Sequence, residues 1–549
     1  MSSDFDYRRL AERLVLSAEE MRGEWDWYAR HIKPRAKEAL AMLEQPAERR
    51  ARQVCATAAE SLDVLANAHM HHIIASGVPW FRFQSPNYAA TEKYVNWYAN
   101  ATEVTLDAMA RSNFHTEMHE AVLDRCLFGT GCLLTEAGKN GGVQFRCIPC
   151  GTYGFAEDEE GRVDALCRKF KFTAWQAAER FGMESLPEEV RRALERPEEA
   201  MSQRFEFWHL VAPRRAFTEG SMSQRPEAMP YISLYFYAAG ERPVVEEGGY
   251  NEFPFMVTRF LHWGEMVWGY PPARNVIDEI FGCLKTEKNL DFLSDLAVFP
   301  RLFTDAQMQG ETDFRAGGRT VIPREIAHLN LPREWGSQGR IDYGRDRLER
   351  ADEKIKAAFF IPFLQLFSGV DRQMSATEAR ARMAEQVIAC SPTFSRFCAE
   401  LTPMLGRVFA LLYRQGAFRT SKGSEPQDLL RVRADGVSRD LLSPRVAYLG
   451  RINRAIDEAQ QQSTDAALNS VRAYVELTGD ASALDIVDAE KMVRKAFENA
   501  GASSDIFRTK GEVEQLRTKR AAAGQVQMAL QLAQAQNQQA QAARNVSQI

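Results

Sequence analysis

The stretch AAFFIPFLQLFSGVDRQMSATEARARMAEQ, residues 357–386, decides the fold of this chain. A nearly unbroken apolar run ends at Ser368–Gly369, a short mixed segment follows, and a new helix opens at Ser375. Three structures fit an apolar helix that stops at a polar loop: a membrane hairpin, a lid over an active site, or a segment aimed at something large. Length argues against the membrane. A spanning helix needs about 18 or more apolar residues, and Pro362 and Gln365 interrupt this run well short of that. Ser375-Ala-Thr-Glu378 has the form of a capping box, in which the serine side chain accepts from the Glu378 amide and the glutamate reaches back. The pattern therefore predicts a helix over 346–367, a loop over 368–374, and a third long helix from 375 with breaks near Pro392 and Pro403.

Upstream, residues 271–299 read as a partner helix. Proline suits its first turn, and Val276, Ile277, Ile280, Phe281, Leu284, Leu290, Leu293 and Leu296 fall mainly on one stripe. Residues 300–342, rich in Gly and Pro, read as a small irregular β module. From Gly129 to about residue 263 the texture is short alternating or aromatic runs between turns, such as RFEFWHLVAPRRAF and MPYISLYFYAAG, which suit a mostly antiparallel sheet. One helix, TAWQAAERFG, interrupts them. Residues 1–75 and 88–128 read as helices, as do 451–549, whose Ala/Gln-rich end is low in complexity. The class is α+β, mainly α.

Length and composition set further bounds. A chain of 549 residues predicts two to four structural units. The net charge is −5, where a protein that grips nucleic acid by neutralising phosphates usually carries a basic surplus. Any contact with DNA should be light or made through local rings of charge. Nine cysteines without a regular framework, and an N-terminus without an apolar signal segment, predict a reduced, cytosolic folding environment.

Candidate chemistry is sparse. His69, His71 and His72 resemble metal ligands, but a zinc site needs three or four, and a polar helix end is the plainer reading. Cys147-Ile-Pro-Cys150 is a single CxxC; Cys126, Cys132 and Cys167 supply no second pair, and buried thiols are expected. GKNGG at 138–142 lacks the context of a phosphate-binding loop, and Asp485 and Asp488 read as helix-start residues. No catalytic residue, cofactor or metal is predicted. Lys285, Lys288, Arg345, Arg347, Arg350, Lys354 and Lys356 lie on or beside the paired helices, mixed with Glu287, Asp291, Glu349 and Glu353. In one copy they form a solvated face with i,i+4 pairs; in a ring each would become a hoop of charge.

The order of these elements, with VPWFRF (78–83), CLFGTGCLLTE (126–136), VWGYPPARNVIDEI (267–280), MSATEARAR (374–382) and DIFRTKGEVEQLRTKRAAA (505–523), resembles the portal, or head-to-tail connector, proteins of short-tailed (podovirus-type) bacteriophages. WGYPPA departs from the Gly-Arg-Gly-Pro-like run more usual there. The resemblance implies a closed ring of about twelve copies at one capsid vertex, in the virion after assembly in the host cytoplasm. It implies a wing (1–268), a first stem helix (269–299), a clip (300–342), a second stem helix (343–367), a tunnel loop (368–374), a wing helix and return segment (375–450) and a helical crown (451–549). Double-stranded DNA would pass without sequence reading, driven by a separate terminase ATPase. The major capsid, scaffolding and tail adaptor proteins would be the other partners, with no membrane. Ser368, Gly369, Val370, Asp371, Arg372, Gln373 and Met374 would face the DNA, Arg372 touching its backbone. Lys285, Lys288, Arg350, Lys354 and Lys356 would line the channel. Phe359, Phe360, Ile361, Phe363, Leu364, Leu366 and Phe367 would pack the stem against neighbouring copies. The competing expectation is another phage structural part, from tail or internal head, built on long helices.

Overall fold

The computed structural model describes residues 7–35, 54–75, 77–87, 94–138, 141–214, 225–240, 243–264, 266–298, 301–303, 333–335, 341–366, 376–419, 425–426, 429–432 and 439–449, with short stretches between 469 and 534. The chain divides into two units, Met1–Ile456 and Asp457–Ile549, and every described residue of the second is helical.

In the first unit, the alternation read in the sequence builds a five-stranded antiparallel sheet. Strands β4 (Tyr153–Glu157), β5 (Val163–Thr173), β6 (Arg204–Pro213), β7 (Tyr231–Tyr237) and β8 (Val244–Tyr250) follow one another in that order. Successive side chains of a strand point to opposite faces, and here both faces are covered. Trp208, Leu210 and Ala212 pack with Ala11, Leu14 and Val15 of helix α1 (Tyr7–His31). Phe205 and Phe207 turn the other way, onto Ala174, Ala177, Val190 and Ala193 of two short helices, α5 (Ala174–Phe181) and α6 (Glu188–Leu194). Full burial of a phenylalanine such as Phe207 contributes about 2–3 kcal/mol. Helix α5 begins at a complete capping box, the Thr173 hydroxyl accepting from the Gln176 amide at 3.3 Å. Gly154 has a steric purpose: a Cβ there would lie 1.7 Å from the Leu14 carbonyl oxygen, so only glycine lets α1 come this close to β4.

A second sheet, β3 (Val143–Ile148), β2 (Thr130–Ala137) and β9 (Phe255–Arg259), lies on helix α4 (Phe114–Phe128). The last six residues of α4 are all buried, and Gly129, at φ 86°, ends the helix in the left-handed conformation that glycine adopts freely. Helices α2 (Ala56–Ile73) and α3 (Val95–Ala110) complete this core. Residues 88–128, read as one helical region, divide at residues 111–113 between α3 and α4.

Two paired helices follow, α8 (Ile277–Val298), entered through a 3-10 turn at Pro272–Val276, and α9 (Ile341–Ala358). The stripe expected of α8 forms for the most part, with Val276 and Ile280 buried and Ile277, Leu284, Leu290 and Leu293 half-buried; Phe281 is the exception and is exposed, as is Phe292. Gly344 lets the two helices close up, since a Cβ there would meet Leu290 Cδ2 at 2.6 Å. The helix predicted over 346–367 is also corrected. It starts earlier, stops at Ala358, turns through Phe359 and Phe360, and resumes as the short helix α10 (Ile361–Leu366). Helix α11 (Ala376–Arg414) then runs for 39 residues with Pro392 and Pro403 inside it, so the two predicted breaks do not occur. Its buried packing on β9, β2 and α2, through Phe397, Leu401, Leu405 and Val408, outweighs the missing amide hydrogen bonds. Finally β14 (Arg445–Tyr448) pairs with β1 (Phe81–Gln84), returning the chain to its N-terminal region.

Of the insert 300–342, the described residues include the antiparallel pair β10 (Arg301–Phe303) and β11 (Arg333–Trp335). The capping serine Ser375, the segment 367–374, and Asp485 and Asp488 lie outside the described residues. Among the described residues no helix is long and apolar enough to cross a membrane.

Candidate functional site

The α8/α9 pair carries the charged face that the sequence singled out. Lys285, Lys288, Arg350, Lys354 and Lys356 are all exposed. Lys354 Nζ lies 3.1 Å from Glu279 Oε1, which holds that carboxyl below its ordinary pKa and ties α9 to α8. An open groove of about 580 Å³ runs between the helices, edged by Asp278, Glu279, Asp346, Arg347 and Arg350. The balance of charge differs from the emphasis on basic residues. On α8, Asp278, Glu279, Glu287, Asp291 and Asp295 outnumber Lys285 and Lys288; on α9, Asp342, Asp346, Glu349, Asp352 and Glu353 match Arg345, Arg347, Arg350, Lys354 and Lys356. The pair is therefore net acidic. It repels phosphate on average and attracts it only at isolated cations.

The chain breaks between α9 and α10. Phe360 is at φ 60°, the only non-glycine residue with a positive φ among the described residues. That conformation costs a bulky side chain roughly 1 kcal/mol or more. It is held by local hydrogen bonds, Phe359 N–H to the Ile355 carbonyl and Leu364 N–H to the Phe360 carbonyl. Burial of Phe359, Ile361 and Leu364 in the same core as α2 and α11 adds to this. These three were expected to pack against neighbouring copies; they fill the chain's own interior instead. The side chains of Phe363 and Leu366, and Phe367, lie outside the described residues. A sequence signal existed, because proline suits the first turn of a helix and Pro362 is the second residue of α10. We expect Phe360→Gly to be about 1 kcal/mol more stable than Phe360→Ala, the reverse of the order inside a helix; urea unfolding of the two variants checks this.

Beneath Phe360 lies a charge that sequence reasoning missed. Arg125 of α4 is fully buried, its guanidinium 5.0 Å from the Phe260 ring and 4.9 Å from the Phe397 ring. It donates to the Thr393 carbonyl at 3.3 Å and to His69 Nε2 at 3.0 Å. His69 Nδ1–H then donates to the Leu65 carbonyl at 2.9 Å. Burial, and next the neighbouring Arg125, push the His69 pKa down to about 3, so the ring is neutral. Of the HMHH run, His69 and His72 are buried and His71 is exposed. Both nitrogens of His69 already have partners, which leaves no lone pair for a metal. Glu400 of α11 completes the region, accepting from the Arg259 amide at 3.1 Å and so joining α11 to β9.

The CxxC thiols are likewise absorbed by the core. Cys147 lies on β3, Cys150 is buried with its amide donating to Asp124, and burial pushes both thiols up. Among the described residues no group of three or more His, Cys, Asp or Glu could hold a metal ion.

Comparison with known proteins accounts for the chain nearly end to end. The family described as bacteriophage head to tail connecting protein matches residues 6–507. A probable portal protein of Bordetella phage BPP-1 is 25% identical over 526 residues, covering 93% of this chain and 89% of the relative. The portal protein of Salmonella phage epsilon15 is 21% identical over 550 aligned positions, covering 95% of this chain and 93% of the relative. A chain from the neck of an empty GTA particle aligns over 80% of this chain at 11% identity, with a TM-score of 0.37 that adds nothing to the assignment.

Proposed function

This chain belongs to the bacteriophage head to tail connecting protein family, and on that premise we propose that it is the repeating subunit of a phage portal, the ring through which a genome enters the capsid and later leaves it. The observation that carries this reading is the match along almost the full length of two portal proteins of similar size. The role is that of a structural conduit in the virion rather than a catalyst.

In this reading about twelve copies close into a ring, with α8 and α9 as the stem, 300–342 as the clip meeting terminase and then the tail adaptor, and 451–549 as the crown inside the head. Residues 1–268 and 375–450 form the wing, facing the major capsid and scaffolding proteins. The exposed Phe281 and Phe292 on α8 favour a neighbouring copy as their cover, since a lone helix gains nothing by presenting phenylalanines to water. The net acidic helix pair favours sliding, because a channel that neutralised many phosphates would hold DNA fast. Arg350, Lys285, Lys288 and Lys356 remain as spaced cations on that wall, while Lys354 is engaged by Glu279. The loop 368–374 carries Arg372 to the DNA backbone without base reading.

Electron microscopy of the purified chain tests the ring: closed rings with a central channel wide enough for duplex DNA are expected, and persistent monomers at assembly conditions would overturn the proposal. For the loop, Arg372→Ala should leave rings intact and change the length or retention of packaged DNA. Loss of rings in that variant would make the loop structural instead.

A further inference from the structure

The α8/α9 pair presents two unlike faces on opposite sides. Contacts inside the pair fix its register. A Cβ on Gly344 would meet Leu290, Asp352 Oδ1 lies 4.0 Å from Cys283 Sγ, and Lys354 Nζ lies 3.1 Å from Glu279 Oε1. The helices therefore run antiparallel, and each step forward on α8 is a step back on α9. With about 3.6 residues per turn, the side of α8 turned away from α9 carries Phe281, Lys285, Lys288 and Phe292, all exposed. The side of α9 turned away from α8 carries Asp342, Asp346, Glu349 and Glu353 at the same spacing, also exposed, with Lys356 beyond them. One face is basic and bracketed by phenylalanines; the other is acidic. None of these two lysines and four carboxylates makes an ion pair with another described residue of its own chain.

The two faces also match in level. By the register of the pair, Lys285 stands level with Glu349, Lys288 with Asp346, Phe281 with Glu353 and Phe292 with Asp342. Rotation about an axis carries a point around that axis without raising or lowering it. Where copies of the pair stand side by side along such an axis, each level of α8 faces the same level of the neighbour's α9. Unlike, complementary faces on opposite sides of one subunit are what a head-to-tail ring requires. A two-fold dimer would set each face on itself and bring like charges together.

We propose that the outer face of α8 in one copy docks on the outer face of α9 in the next, with Lys285 against Glu349 and Lys288 against Asp346. Phe281 and Phe292 close the contact at either end. The partner is a second copy of this chain, and the contact rests on the portal reading, in which the pair runs along the channel. The charges set orientation and level, while the phenylalanines, once covered, supply apolar burial. The two lysines then stand at the seam between copies, neutralised by the neighbour, and give phosphate little to hold.

The test uses the full-length protein at low salt, where exposed charges act most strongly. Lys285→Glu with Lys288→Glu sets like charges across the contact, and so does Asp346→Lys with Glu349→Lys. Each pair of substitutions should abolish rings in mass photometry and electron microscopy. The chain carrying all four exchanges the signs and should form rings again. Independently, Lys285→Cys with Glu349→Cys, treated with a short bis-maleimide, should give a ladder of covalent multimers on a denaturing gel that neither single cysteine variant gives. Rings that survive both reversals, a four-substituted chain that stays unassembled with the circular dichroism of the wild type, or rings of the cysteine pair that give no ladder would each overturn this contact and leave the portal reading standing. A wild type that forms no rings would overturn both.

Discussion

Acidification from pH 7 to pH 5 is expected to cost the fold about 2 kcal/mol at His69 alone. The folded pKa of about 3 lies far below the ordinary value of 6.5 for this group. The native state therefore holds a neutral ring that the unfolded chain would protonate. This contribution to stability is complete above pH 6.5 and is lost progressively as pH falls toward 3. His209 acts in the same direction: buried in the five-stranded sheet, it stacks on Tyr235 at 4.0 Å and accepts from Arg168 Nε at 3.1 Å. Burial first, and then Arg168 and Arg180, push its pKa well down. Two neutral histidines, each facing a buried arginine, thus make both halves of the first unit acid-sensitive. His69→Gln isolates one of them. A glutamine can donate to the Leu65 carbonyl and accept from Arg125 but does not titrate. Urea unfolding at the two pH values should show the variant losing about 2 kcal/mol less than the wild type; identical losses would sink the assignment.

Asp124→Ala is expected to destabilise the protein by about 2–3 kcal/mol. The carboxylate is almost fully buried on α4, accepts from Arg35 Nε at 2.8 Å and from the Cys150 amide at 3.2 Å, and so ties the segment after α1 to α4 and the end of β3. Removing it leaves Arg35 Nε and the Cys150 amide without that acceptor, while the Arg35 guanidinium keeps its ion pair with the more exposed Glu120; the cost is that of the buried hydrogen bonds left unmade. The double variant Arg35→Met, Asp124→Leu separates the two effects. With both charges replaced by apolar groups of similar bulk, most of the lost stability should return. Chemical denaturation of the three proteins decides this, and a double variant as unstable as Asp124→Ala would mean that packing, not charge, is at stake.

Much of the fold was legible because its rules are local. Alternation along RFEFWHLVAP and YISLYFY marked strands, although the helix-covered second face of the sheet could not be read from alternation alone. The helix read at TAWQAAERFG is α5, and the change of texture read at Gly129 falls where α4 ends. What failed, failed for a common reason. Pro392 and Pro403 are helix breakers by propensity, yet α11 is buried over enough of its length that packing overrules them. Of the apolar stripe read on α8, Phe281 alone among its described members is left exposed by the single chain. Phe359, Ile361 and Leu364 looked free for a neighbour and are consumed at home.

The amino-acid sequence by itself determined the class of elements, their order, the absence of a membrane-length apolar run, the low basic charge and, through quoted motifs, the portal family. Those are properties of residues near one another along the chain, where periodicity and turn chemistry act. Only the tertiary structure decided that Arg125 would be buried against His69 and that the helix would turn at Phe360 rather than run through it. Each of those depends on which remote side chains share a space, and on a cost in burial or backbone strain that no window of sequence can weigh.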